Sequence, residues 1–205
     1  MSMEAEALAM AAAARTRLQQ RQLLAHGLFS VRIPGSMALA AALPEGEPQI
    51  LSFKEAEADP LAALHVQAYR HRRDAGAVAS GCPPWGAALA SLARTMPVVF
   101  DEQARHLGPS VLPLDGPASL APPRNAYFLS AGCLCLGTTP DRAVFNAELL
   151  EKCAHAYLLA ILAGGRVKRI PFLIRLIAGS RLRRDQRIAA AALATGAFAQ
   201  TATAY

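Results

Sequence analysis

The stretch Leu64-His65-Val66-Gln67-Ala68-Tyr69-Arg70, continued by Arg73-Asp74-Ala75-Gly76-Ala77-Val78, decides the fold. In its first half Leu61, Leu64, Ala68 and Tyr69 recur at helical spacing and make one apolar stripe. Asp59-Pro60 gives that helix its start, with Asp59 as N-cap and Pro60 at the first helical position. Residues 75–79 then read as a short buried strand. A helix feeding directly into a buried strand is the signature of an α/β chain, and the remaining segments can be placed around it.

Upstream, residues 5–26 are alanine-rich, with Leu8, Ala12, Arg15, Leu18 and Leu23 near helical spacing and Gly27 closing the run. Residues 28–33 and 37–43, separated by Pro34-Gly35, read as strands, as do residues 49–53 after the turn from Pro44 to Pro48. Downstream, residues 84–93 form a helix, residues 97–100 and 110–114 are extended, and residues 127–136 make a core strand pair or hairpin. The strongest helical signal comes last. Ala143, Ala147, Leu150, Ala154, Leu158 and Ile161 fall on one face, Thr138 with Asp141 has capping-box spacing, and Gly164-Gly165 ends the run. Two short helices are expected beyond it, over residues 170–178 and 184–194. The order predicts a three-layer α/β/α domain over residues 1–165 and a basic, alanine-rich extension over 166–205, packed on the same domain or on a neighbouring subunit.

Composition narrows the function classes. The 205 residues suffice for one core, and the apolar fraction of 53% is largely alanine, which signals close helix packing and buried subunit contacts. No window reaches the roughly 18 uninterrupted apolar residues of a spanning helix. Glu4 and Glu6 stand where a signal peptide would carry positive charge, and four cysteines make no disulfide framework, so a cytoplasmic chain with reduced thiols is expected. Eight of the 21 Lys/Arg but only one of the 15 Asp/Glu lie from Arg166 onward, so this tail carries +7 and the rest of the chain −1. No aromatic residues interleave with its arginines as a stacking platform, which argues against nucleic acid and for a solvated or intersubunit face.

The opening stretch resembles the helix-to-strand junction of the class II aldolase/adducin family, where an "LHxxxY" helix leads through "RxDxxAV" into a strand delivering an "HxH" pair. Ser30-Val31-Arg32 is similar to that family's "SVR" strand. Cys133–Gly137 with Ala143–Ala160 (AVFNAELLEKCAHAYLLA) resembles the strand and long helix that follow its "NHG" third ligand. The resemblance runs from about Ala5 to Gly165. It implies a central, mainly antiparallel sheet between helical layers, and a homo-oligomer, a tetramer by preference.

The departures are equally specific. Ser80-Gly81-Cys82 stands in place of "HxH", and Ser130-Ala131-Gly132 in place of "NHG". Neither serine nor alanine replaces imidazole as a ligand to a zinc that stabilises an enediolate. Asp59-Pro60-Leu61 occupies the segment where the family's sugar-phosphate aldolases carry phosphate-binding hydroxyls and an acid/base glutamate, and the Gly-Asn of the phosphate loop is missing at Gly27-Leu28. A catalytically degenerate, zinc-free and cofactor-free member is therefore expected, kept as a ligand-binding or assembly module, with a small-molecule ligand as a possible partner. The rival reading is a metal-independent lyase or isomerase for a small carbonyl compound, using Ser80, Cys82, His106 or tail arginines in the same cleft. A thiol-bound metal on Cys82, Cys133 and Cys135 is a further alternative, set against simple burial of the cysteines. His65 reads as a buried structural histidine, and His71 and His155 as solvated.

Overall fold

The computed structural model describes residues 2–200, and an eight-stranded sheet organises them. The strands are β1 (Leu28–Arg32), β2 (Ala38–Ala42), β3 (Gln49–Ser52), β4 (Ala77–Gly81), β5 (Met96–Pro97), β6 (Ser110–Pro113), β7 (Ala126–Leu129) and β8 (Gly132–Gly137). Their spatial order is β3-β2-β1-β4-β8-β7-β6-β5, and every pairing is antiparallel except β6 with β7. The sheet is thus mixed and mainly antiparallel, with helices on both faces.

Strand alternation divides the core in two. Phe29, Val31, Ala77, Ala79, Cys133 and Cys135 point to the face covered by α1 (Met3–Gln20), α4 (Pro84–Ser91) and α6 (Pro140–Leu162). Leu28, Leu39, Val78, Leu134 and Leu136 point to the other, under α2 (Phe53–Ala56) and α3 (Pro60–His71). The small residues Ala7, Ala11 and Ala14, continued by Leu18, make the buried stripe of α1 and let it lie close on the sheet.

Several boundaries differ from the sequence reading, each for a local reason. The first helix stops at Gln20, because the chain turns to bury Leu23 and Leu24, with Gln22 and His26 at positive φ. Its buried face is the alanine stripe, and not the one through Leu8 and Ala12. The cap of α6 is Thr139, not Thr138: Pro140 forces the residue before it into an extended conformation, and Thr139 Oγ1 accepts the Arg142 N–H at 3.2 Å. Residues 101–106 form a helix, α5 (Asp101–His106), that apolar periodicity did not announce.

The two short tail helices are one, α7 (Phe172–Ala194), running through Gly179. A mid-helix glycine costs roughly 1 kcal/mol. The buried stripe Ala178, Leu182, Gln186, Ala189 and Leu193 crosses it and offsets that cost. The helix packs on its own chain, where Asp185 pairs with Arg105 of α5. Arg72, fully buried, completes the join between layers. Its guanidinium forks onto Asp74 at 2.8 and 2.7 Å and reaches Asn125 Oδ1 at 2.7 Å, which also accepts from Gln186 Nε2 of α7 at 3.0 Å.

Candidate functional site

The positions singled out by sequence meet at the end of β4, beside the β7–β8 turn. Gly81 pairs with Cys133, so Cys82 leaves the sheet directly against residues 130–132. Two glycines allow the approach. A Cβ on Gly132 (φ 158°) would lie 2.4 Å from the Gly81 carbonyl oxygen, and one on Gly27 would lie 2.0 Å from that of Ser80. The α1–β1 loop therefore folds over the strand end, and Cys82 N–H donates to Ala25 O at 2.9 Å.

Beneath that lid Ser80 is buried and turned into the core. Its hydroxyl meets His65 Nε2 at 2.8 Å, and His65 Nδ1 meets Ser30 Oγ at 2.7 Å. Ser30 in turn holds Tyr69 Oη, at 2.7 Å through Oγ and 3.0 Å through its carbonyl. Two proton arrangements satisfy the whole chain. In one, Tyr69 donates to Ser30, Ser30 to His65 Nδ1, His65 Nε2–H to Ser80, and Ser80 to Leu28 O at 3.4 Å; in the other, Ser80 donates to His65 Nε2, His65 Nδ1–H to Ser30, Ser30 to Tyr69, and Tyr69 to the Ser30 carbonyl. Both keep His65 neutral, and burial pushes its pKa down to about 3. Burial likewise raises the Tyr69 phenol far above its ordinary range. The quartet ties α3 to β1 and β4, with no member open to solvent.

The other candidates do not join Ser80. Cys82, half-buried, gives its thiol to Ala131 O at 2.7 Å, and Ala131 itself is exposed. Cys133 and Cys135 lie in the α4/α6 core, the opposite face from Ser80, and burial holds both thiols well above their usual pKa. His106 belongs to the other end of β8. Its ring meets Phe145 edge-on at 4.9 Å, its carbonyl accepts from Asn125, and burial with Arg142 and Arg105 nearby lowers its pKa to about 4.

The flanking elements are likewise occupied. Asp59 Oδ1 caps α3, accepting from Leu61 N–H at 3.0 Å and Ala62 N–H at 2.8 Å, so its carboxylate is a helix cap. The N-terminus of α4 has no cap of its own. Glu151 of α6 accepts its Trp85 and Gly86 N–H groups, both at 2.8 Å, and neutralises that helix end. Trp85 stacks on His155 at 4.2 Å, so His155 is not simply solvated.

These donors do not suit zinc. Of the three positions that the sequence resemblance aligns with metal ligands, Ser80 spends its hydroxyl on His65, Cys82 offers one thiol bonded to a carbonyl, and Ala131 offers nothing. Among the described residues, no three His, Cys, Asp or Glu side chains come together as a metal site. Sequence reasoning missed the Ser30–His65–Ser80 chain as a unit. Its signal was present in the polar residues Ser30 and Ser80, placed on otherwise apolar strands.

Residues 16–158 match the Class II Aldolase and Adducin N-terminal domain family. Among solved structures, the YgbL protein of Klebsiella pneumoniae is similar at 19% identity, covering 87% of this chain and 100% of its own, with a TM-score of 0.70. An L-fuculose 1-phosphate aldolase is similar at 16% identity, over 88% of this chain and 96% of its own, with a TM-score of 0.70. The L-fuculose 1-phosphate aldolase of Glaciozyma antarctica reaches 22% identity over 95% and 90%, with a TM-score of 0.65. These likenesses establish the fold. No curated protein matches the sequence significantly.

Proposed function

Because this chain belongs to the class II aldolase and adducin N-terminal domain family, yet carries Ser80, Cys82 and Ala131 at the ligand positions, we propose that it is a zinc-free member. In this reading it serves as a ligand-binding or assembly module. The observation that carries the proposal is the hydrogen bond of Ser80 to His65, which commits the first ligand position to holding the core together. The proton-transfer segment fits the same reading, since Asp59 caps a helix and Leu61 has no proton to exchange.

Assembly is the second part of the proposal. Phe172, Leu173, Ile174, Leu176 and Ile177 are each exposed on the first two turns of α7, a concentration of apolar side chains of the kind that marks an interface. We assign it to contact between copies of this chain, with a tetramer as the favoured state. No helix among the described residues is long and apolar enough to cross a membrane. The four thiols are unpaired, which fits a reducing compartment such as the cytoplasm.

The test is a retro-aldol assay on L-fuculose 1-phosphate with added zinc, run beside light scattering of the same sample. The expected result is no turnover above a protein-free control, from an oligomer that Ile174→Glu with Ile177→Glu converts to smaller species. Turnover abolished by a chelator would overturn the zinc-free reading. A monomer that is unchanged by the substitutions would overturn the assembly reading.

A further inference from the structure

At the opposite end of β4 from the candidate site, a cavity of about 700 Å³ opens between the end of α3, the Pro122 loop and α7. Its size is that of a small-molecule pocket. Ser180, Arg183, Arg187 and Ala190 come from one face of α7, Arg70 from the last turn of α3, and Arg73 and Asp74 from the segment that joins α3 to β4.

The charges there are unevenly matched. Arg70 pairs with Glu57, and Asp74 is taken by the buried fork of Arg72, so neither acts on the cavity as a free charge. Arg73, Arg183 and Arg187 belong to no ion pair among the described residues. Arg183 and Arg187 are four residues apart on one helix, an arrangement in which like charges repel unless something sits between them. Below them Gln186, only 4% exposed, holds Pro123 and Asn125 through Nε2 and leaves its Oε1 buried without a hydrogen-bond partner. The cavity is thus bordered by three exposed arginines without ion-pair partners among the described residues and by the apolar surfaces of Pro122 and Ala190.

We propose that this cavity binds a small phosphate monoester with an apolar body, its phosphate held by Arg73, Arg183 and Arg187. Planar guanidinium groups suit a phosphate dianion, whose oxygens accept paired N–H bonds. A dianion also relieves the repulsion along α7. The apolar wall leaves room for a hydrocarbon or aromatic group beside the charge. This inference does not depend on the state of the former zinc site.

Calorimetric titration of the full-length chain with phenyl phosphate tests it, with inorganic phosphate as the comparison ligand. Arg183→Ala with Arg187→Ala removes two cavity charges. Arg166→Ala with Arg169→Ala removes two exposed charges outside it and has the same net charge. Arg73→Gln is a third, single variant in case the α7 pair lowers stability, and circular dichroism checks the fold of each.

Saturable binding, weakened at least about tenfold in the Arg183/Arg187 and Arg73 variants and by less than about twofold in the Arg166/Arg169 variant, is expected from the loss of charge-assisted hydrogen bonds. Inorganic phosphate should bind more weakly than the ester. Absence of saturable binding, or equal weakening in both double variants, would overturn the proposal, as would equal affinity for the two ligands. Capture of the chain by anionic vesicles that phenyl phosphate does not compete away would also count against it, by assigning the charge to a lipid surface.

Discussion

Acidification should expose the cost of burying His65. Its folded-state pKa lies near 3 because the ring is fully buried, whereas an unfolded chain takes up the proton near the ordinary value of about 6.5. Between these values only the unfolded state binds the proton, so stability rises with pH through the window and is lost as pH falls from about 6.5 towards 3. With those two values, the linkage relation gives a loss of about 2 kcal/mol on going from pH 7.5 to pH 5 from this residue alone. His65→Gln keeps a neutral hydrogen-bonding group in place of the ring and cannot titrate. The variant should be less stable at pH 7.5 by about 1–3 kcal/mol, since the Ser30 and Ser80 bonds are remade imperfectly. Its further loss on acidification should be smaller than the wild type's by about 2 kcal/mol, because terms from other titrating groups cancel in the comparison. Urea unfolding of both chains at the two pH values, at fixed protein concentration, measures this directly. If both chains lose the same stability between the two pH values, His65 is not held neutral by the Ser30–His65–Ser80 chain.

Two substitutions probe how the layers are joined. Gly27→Ala should cost at least about 3 kcal/mol or prevent soluble expression, because the new methyl would sit 2.0 Å from the Ser80 carbonyl oxygen, a backbone atom that cannot step aside; thermal melts beside the wild type decide it. Arg72→Met should destabilise by about 3–5 kcal/mol by stranding the buried Asp74 carboxylate, whereas adding Asp74→Asn should recover part of that loss in a double-mutant cycle.

The layers of the fold were legible because they follow from local rules. The Asp59-Pro60 start of α3, the strand segments β1 to β4 and the long apolar stripe of α6 each combine periodicity with a cap or breaker. What escaped the sequence was decided by partners distant along the chain. The polar helix α5 shows no apolar period, and is held in part by Gln103, whose side chain bonds the Pro97 and Val99 backbone. Gly179 reads as a break, but the stripe that α7 buries against its own chain carries the helix through it. At the site, the sequence resemblance drew attention to Ser80, Cys82 and Ala131, but the surroundings of the Ser80 hydroxyl depend on His65, fifteen residues away. The arginines around Pro122 border one cavity only when α7, packed on α5, runs past the end of α3, a placement that no spacing in the sequence encodes.

The central claim, that this family member works without zinc, is tested most directly by elemental analysis of the full-length protein purified without chelators and then dialysed against micromolar zinc. The donors at Ser80, Cys82 and Ala131 predict far less than one zinc per chain, and a melting temperature indifferent to a chelator. One tightly held zinc per chain, with a melting temperature that falls when the metal is removed and a stoichiometry that Cys82→Ser abolishes, would contradict it.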